Sequence, residues 1–315
     1  MATPYITPAM LNNAPTGIAW NIIPFPKATS EQQLAEQMNI CWRATAIIDG
    51  YVNQVFRSTI DNEVQQGPNY YVTIDNNTAQ LRWILTRSPV TEILAVQTSP
   101  NTLPPQWNQV TSGQWRIDQP VLGVYGSYTS GGSGGSGGQT IYVGAGWGSW
   151  ALGRNGYLVA ASYLNGWPHA GLLESAAASA TSLFVDDVTG MAGATVMVYD
   201  GSSTEAVQVT SVTANTNTTL PNGGGTAPAG PGLINLATPT SFAHTGANPA
   251  AVVVSALPGD VLWATVLAST VQALESGITA VTIQNLPGSQ TVGGHGVEAL
   301  TLSYEAILRP YKRVI

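Results

Sequence analysis

The residue types that carry most enzymatic chemistry are few and scattered in this sequence. His169, His244 and His295 are its three histidines, and none stands at metal-ligand spacing from another. A Ser-His-Asp triad remains open because its members come from distant positions, but no Gly-x-Ser-x-Gly elbow is present to anchor one. The pattern favours a protein that is not an enzyme, with no catalytic residue, no metal site and no cofactor.

Three aspartates offer an alternative, a calcium site. Asp186, Asp187 and Asp200 supply carboxylates of the kind that hard cations bind when they are clustered. Each also has the sequence context of a turn, since Val188-Thr189-Gly190 follows Asp187 and Gly201 follows Asp200. The turn interpretation is favoured over the calcium site.

Other residues with chemical potential have simpler explanations. Gly144 to Gly148 is glycine-rich, but no Gly-Lys-Ser/Thr follows it, which excludes a phosphate-binding loop. The nine tryptophans, Trp147 among them, suggest a sugar-binding platform, although several fall on helix or strand positions where burial explains them. The single cysteine, Cys41, excludes an internal disulfide and lies on an apolar helix stripe as a small hydrophobe.

Charge is scarce, at 9% of residues, against roughly a quarter in an ordinary soluble domain. Neutral polar residues or neighbouring subunits must therefore cover the exterior. The net charge of −7 argues against a surface that grips nucleic acid. No apolar run reaches the ~20 residues of a membrane span, and the N-terminus lacks the features of a secretory signal, so we expect maturation in a cytoplasm.

The elements predicted for the first part of the chain are an arm, a long helix, a hairpin and a short helix. Residues 1–29 are proline-rich and predict an extended arm that lies on a neighbour. Thr29 or Ser30 caps a helix whose apolar residues recur at three- and four-residue spacing. Period-two strands flank Asp75-Asn76-Asn77 as a hairpin, and Tyr157 to Trp167 reads as a helix. These elements form the first part of a core, residues 30–175.

Residues 176–254 have short strand patterns and no helical period, which predicts an inserted all-β domain, either a barrel or a sandwich. Within it, residues 222–232 read as a long glycine-rich loop. Helical spacing returns from Pro258 to Gly277 and from Gly296 to Leu308, within the second part of the core, residues 255–315. The predicted fold class is therefore α+β, a helical core with a β-hairpin region and an inserted β-domain.

The C-terminal segment Leu308-Arg309-Pro310-Tyr311-Lys312-Arg313-Val314-Ile315 holds three of the ten cations in the chain. A short cationic tail with one aromatic residue and one proline has the composition of a docking element. We expect it to lie outside the core, so that deletion of residues 308–315 leaves the protomer folded.

Three motifs give the chain a resemblance to a known family. They are Ile47-Ile48-Asp49-Gly50-Tyr51-Val52 near the end of the long helix, Leu85-Thr86-Arg87-Ser88-Pro89-Val90 after the hairpin, and the C-terminal Leu308-Arg309-Pro310-Tyr311-Lys312-Arg313-Val314. The chain resembles the head–tail connector (adaptor) proteins of tailed bacteriophages. The C-terminal motif is the most specific of the three, and the inserted β-domain departs from the smallest members.

The resemblance implies a protomer of a ring, usually of twelve copies, in the neck of the virion, assembled in the host cytoplasm. The ring would join the portal protein to the tail or a stopper and let DNA pass without reading its sequence. Portal contacts are implied for Arg309, Pro310, Tyr311, Lys312, Arg313 and Val314. The alternatives are a virion-associated binding module that recognises host glycans through the β-domain and, ranked last, a cell-wall hydrolase.

Overall fold

Helices lie towards both ends of the described chain and antiparallel sheets lie between them, as the computed structural model shows. It describes residues 3–24, 27–66, 71–75, 78–100, 103–110, 115–118, 140–144, 157–246, 251–275 and 295–313. The helices are α1 (Pro8–Asn13), α2 (Ser30–Val52), α3 (Gly259–Glu275) and α4 (His295–Leu308). The strands are β1 (Thr59–Gln66), β2 (Tyr71–Asp75), β3 (Thr78–Ile84), β4 (Val90–Pro100), β5 (Asn108–Gln109), β6 (Trp115–Asp118), β7 (Thr140–Gly144), β8 (Tyr157–Asn165), β9 (His169–Gly171), β10 (Ser182–Val185), β11 (Thr195–Tyr199), β12 (Glu205–Thr219), β13 (Thr226–Leu236) and β14 (Val253–Ser255).

The predicted long helix, α2, starts and stops by local rules. Thr29 and Gln32 form a reciprocal capping box at its N-terminus, and Asn53 ends it in the left-handed conformation, with φ of 57°. Ile40, Ala44 and Ile48, at four-residue spacing, are completely buried. They belong to one apolar core with α3 and α4, which confirms the helical periods predicted at both ends of the chain.

The N-terminal segment is not an extended arm, and that prediction is wrong for residues 3–24. Pro8 occupies the start of α1, where its missing N–H costs nothing, and the Thr7 side chain caps the helix. Tyr5, Leu11 and Trp20 are buried in the core that α2 and α3 share. These residues therefore belong to a segment that folds onto its own chain.

Two four-stranded sheets follow α2. The predicted hairpin is confirmed, because β2 pairs with β3 around residues 76–77, in a sheet of order β2-β3-β7-β6. The second sheet has the order β1-β8-β4-β5, and its strand β8 occupies the segment predicted as a short helix. That prediction is wrong: Val159, Ala160 and Ala161 are all buried in a strand paired on both sides, and a continuous apolar run does not distinguish such a strand from a helix.

The predicted all-β region forms a six-stranded antiparallel sheet of order β10-β13-β12-β11-β14-β9. A bridge between Leu172 and Val185 links its two edges, so the sheet is a nearly closed barrel around an apolar core. Its first strand begins at His169, before the predicted boundary at residue 176. The predicted loop of residues 222–232 is short, because β13 already starts at Thr226 and pairs with the long strand β12.

Candidate functional site

The C-terminal segment predicted to bind a partner continues directly from α4. Leu308, the last residue of α4, is completely buried, and a single 3-10 turn follows at Arg309–Tyr311. Arg309, Pro310 and Lys312 are exposed, while Tyr311 and Arg313 are half-buried. Val314 lies outside the described residues.

Tyr311 anchors this segment to its own chain. Its ring packs edge-on against Phe56, at 5.3 Å between centroids, and against Trp167, at 6.0 Å. Its hydroxyl donates a hydrogen bond of 2.8 Å to Oδ2 of Asp260 in the first turn of α3. Edge-to-face aromatic pairs each add about 0.5–1.5 kcal/mol beyond the area they bury. The C-terminal segment is therefore tied to the end of α2, to β8 and to α3.

Backbone contacts on either side of Tyr311 complete the attachment. The Arg313 amide donates to the Val52 carbonyl at 2.9 Å, and thereby satisfies one of the terminal carbonyls of α2. Nε2 of Gln54 donates to the Tyr311 carbonyl at 3.0 Å. Nζ of Lys312 lies 4.4 Å from the centre of the Tyr51 ring, which is a cation–π contact. Deletion of residues 308–315 would remove these contacts and the buried Leu308, so the expectation that the segment lies outside the core is wrong.

The C-terminal segment carries its exposed cationic side chains on a backbone that is held in place by the rest of the protomer. The exposed Arg309 and Lys312 flank the Pro310-Tyr311 step, and the Tyr311 ring is held by three separate contacts. Guanidinium and ammonium groups in such positions can bind carboxylates of another protein. Phe56 and Trp167, which form the seat for Tyr311, carried no signal of this role in the sequence. The one sequence feature that indicates this cluster is that positions 56, 167 and 311 are all aromatic.

The aspartates considered for calcium serve as turn and loop acceptors. Asp186 accepts from the Gly171 amide at 2.7 Å and from Oγ1 of Thr3 at 2.5 Å. Oδ1 of Asp187 accepts from the Thr189 amide at 2.9 Å and from the Gly230 amide at 3.1 Å. Within the described ranges, no three His, Cys, Asp or Glu side chains are grouped as metal ligands. The turn interpretation accounts for these contacts.

His169 and His244 lie in separate hydrogen-bond networks. Nδ1 of His169 contacts Oγ of Ser255 at 2.9 Å, and its Nε2 contacts the Pro4 carbonyl at 2.9 Å, where a triad would place a carboxylate. Burial lowers the pKa of His169 to about 4, so the ring is neutral at physiological pH. His244 is buried between Asp200, at 3.2 Å, and Glu205, at 2.8 Å. Both histidines hold neighbouring segments together through these hydrogen bonds. The side chain of His295 lies outside the described residues.

The tryptophan considered for sugar binding, Trp147, and the glycine-rich segment around it lie outside the described residues. No helix in the described ranges is both long and apolar enough to cross a bilayer. Comparison with protein families, with curated proteins and with solved structures finds no match to this chain. The contacts and charges of the C-terminal segment are therefore the observations that bear on function.

Proposed function

We propose that this protein is a structural, non-enzymatic component of the neck of a tailed bacteriophage. In this proposal, copies of the chain form a ring, with twelve as the expected number, that joins the portal protein to the tail or a stopper. The observation that carries the proposal is the C-terminal segment, whose motif resembles that of adaptor proteins and whose cations are exposed on an anchored base.

The anchoring of the segment supports a role in docking. A disordered cationic end would lose conformational freedom on binding, at about 0.5–1.5 kcal/mol for each side chain that becomes immobilised. Here the backbone is already held at Arg313 by Val52 and at Tyr311 by Gln54, and the Tyr311 side chain is held by Asp260. A partner would have to order only the exposed parts of Arg309 and Lys312.

The charge of the chain supports a passive relation to DNA. A channel that binds phosphates tightly would hold DNA back, because each neutralised phosphate adds to the affinity. The net charge of −7 and the low content of charged residues favour a lumen through which DNA passes without sequence readout. Exposed apolar side chains on the long helices, Leu34 on α2, Trp263 on α3 and Leu302 on α4, are available for contacts between copies.

Imaging and sedimentation of the purified protein, alone and with its portal, test the proposal. We expect rotationally symmetric rings and a complex with the portal. The paired change Arg309→Gln with Lys312→Gln should weaken portal attachment at least tenfold, because it removes the exposed cations while leaving Tyr311 in its seat. The matched control is Lys27→Gln with Arg43→Gln, which neutralises two exposed cations elsewhere. Persistent monomers that never bind a portal would refute the proposal.

A further inference from the structure

A second polar site lies where three parts of the chain meet. A cleft of 590 Å³ opens between Thr3 of the N-terminal segment, the start of β1, and the β-domain. Arg57, Thr59, Asp187 and Gly230 are among the residues that line it. Ligand sites occur preferentially at such junctions between structural units.

Arg57 brings an unused hydrogen-bond donor to this cleft. Its backbone is fixed, since it bridges to Trp167 and the next amide, that of Ser58, donates to the Trp167 carbonyl at 2.8 Å. Its side chain is half-buried, and among the described residues no hydrogen bond or ion pair engages the guanidinium. A guanidinium carries five N–H donors, and a partly desolvated one without acceptors costs free energy. The cleft therefore favours a ligand that offers acceptor oxygens.

Asp187 brings an unused acceptor to the same cleft. Its Oδ1 already takes hydrogen bonds from the amide and hydroxyl of Thr189 and from the Gly230 amide, which fix the side chain. No hydrogen bond to Oδ2 is found among the described residues. This oxygen can accept from a ligand hydroxyl without any rearrangement of the turn.

The charges of the lining select against ions. One guanidinium, from Arg57, faces two carboxylates, from Asp186 and Asp187, so that an anion meets net repulsion. A metal cation would share the cleft with Arg57 and find three of the four carboxylate oxygens already hydrogen-bonded. A neutral ligand with neighbouring hydroxyl groups can hydrogen-bond to both the Arg57 guanidinium and Oδ2 of Asp187, because each hydroxyl both donates and accepts.

We propose that this cleft binds a saccharide through a pair of neighbouring hydroxyl groups. One hydroxyl oxygen accepts from the Arg57 guanidinium, and the adjacent hydroxyl donates to Oδ2 of Asp187. Ile60 and Pro231, which also line the cleft, offer apolar surface to the C–H face of a sugar ring. This site differs from a platform built on Trp147 and needs no calcium. It is also independent of the proposed portal contacts, which lie on the C-terminal segment.

Titration calorimetry of the full chain with D-glucose, D-galactose and N-acetyl-D-glucosamine tests the inference. We expect saturable binding of at least one of these sugars, reduced at least tenfold by Arg57→Gln and by Asp187→Asn. The Asp187→Asn side chain keeps Oδ1 for the turn and replaces only Oδ2, so folding should be retained, as circular dichroism would show. Arg43→Gln, an equivalent change at an exposed position of α2, should bind like the unaltered protein.

Absence of saturable binding by all three sugars would overturn the inference. So would a sugar affinity in both cleft variants that equals the affinity of the unaltered protein. Inorganic phosphate and calcium ions are the competing probes: preferential binding of either one would show that the cleft takes an ion instead. Ring formation and portal attachment should be unchanged in both cleft variants. The two proposals therefore fail separately.

Discussion

Replacement of Tyr311 by alanine should destabilise the whole protomer. The change removes two edge-to-face ring contacts, with Phe56 and Trp167, which together contribute about 1–3 kcal/mol. It also removes the hydrogen bond to Asp260, for which about 1 kcal/mol is an upper value, because that carboxylate is exposed. We therefore expect the free energy of unfolding to fall by about 3 kcal/mol.

Urea denaturation, followed by tryptophan fluorescence, measures this loss, since Trp167 lies in the seat of the Tyr311 ring. Tyr311→Phe is the matched control. It keeps both ring contacts and loses only the hydroxyl, so its unfolding free energy should fall by about 1 kcal/mol or less. If Tyr311→Ala unfolds at the same urea concentration as the unaltered protein, the side chain is not an anchor and the segment does not fold onto the protomer.

Three further changes test other parts of the structure. Thr29→Ala removes the capping box of α2 and should cost about 1 kcal/mol, measurable as a lower thermal midpoint by circular dichroism. Gly166→Ala should cost more than about 2 kcal/mol, because Gly166 has φ of +84° and a Cβ would lie 2.5 Å from the Arg57 carbonyl oxygen; urea denaturation checks it. Burial raises the pKa of Asp49 to about 6, while the unfolded value is about 3.9. Between these two pKa values Asp49 is protonated in the folded state and ionised in the unfolded state, so the free energy of unfolding should fall as pH rises from about 4 to about 6. Urea midpoints should show this fall for the unaltered protein and not for Asp49→Asn.

Local rules predicted α2, α3, α4 and the β2–β3 hairpin, but not α1. The Thr29 cap and the apolar stripe that includes Cys41, Ile48 and Val52 identify α2, because capping and amphipathic burial act within a few turns. The turn signal Asp75-Asn76-Asn77 in the sequence predicts the β2–β3 pair for the same reason. The barrel-like sheet followed from many short strand patterns without helical period, although its order and near closure depend on pairings between distant residues.

The errors fall where distant contacts decide the structure. Strand β8 is paired on both edges and residues 159–165 are buried on both of its faces, so the alternation that marks a half-buried strand is lost. The sequence of residues 3–24 resembles that of an extended arm because it is rich in proline and has no helical or strand periodicity. In the structure, however, Tyr5 and Trp20 are buried in the core beside α2. In the candidate site, the sequence predicted the cationic residues but not the seat of Tyr311, because that seat joins positions 56, 167 and 311.

The anchoring of the C-terminal segment limits how a partner can engage it. A partner that pulled the segment away would lose the Tyr311 contacts, at about 3 kcal/mol, which is equivalent to more than a hundredfold in affinity. A partner that binds the exposed Arg309 and Lys312 in place avoids this cost, since the backbone between them is already fixed. The same residues therefore stabilise the protomer and orient its cations. It follows that Tyr311→Ala should weaken attachment through folding and orientation. The Arg309→Gln and Lys312→Gln pair should weaken attachment while lowering stability by about 1 kcal/mol at most, through the lost contact of Lys312 with Tyr51.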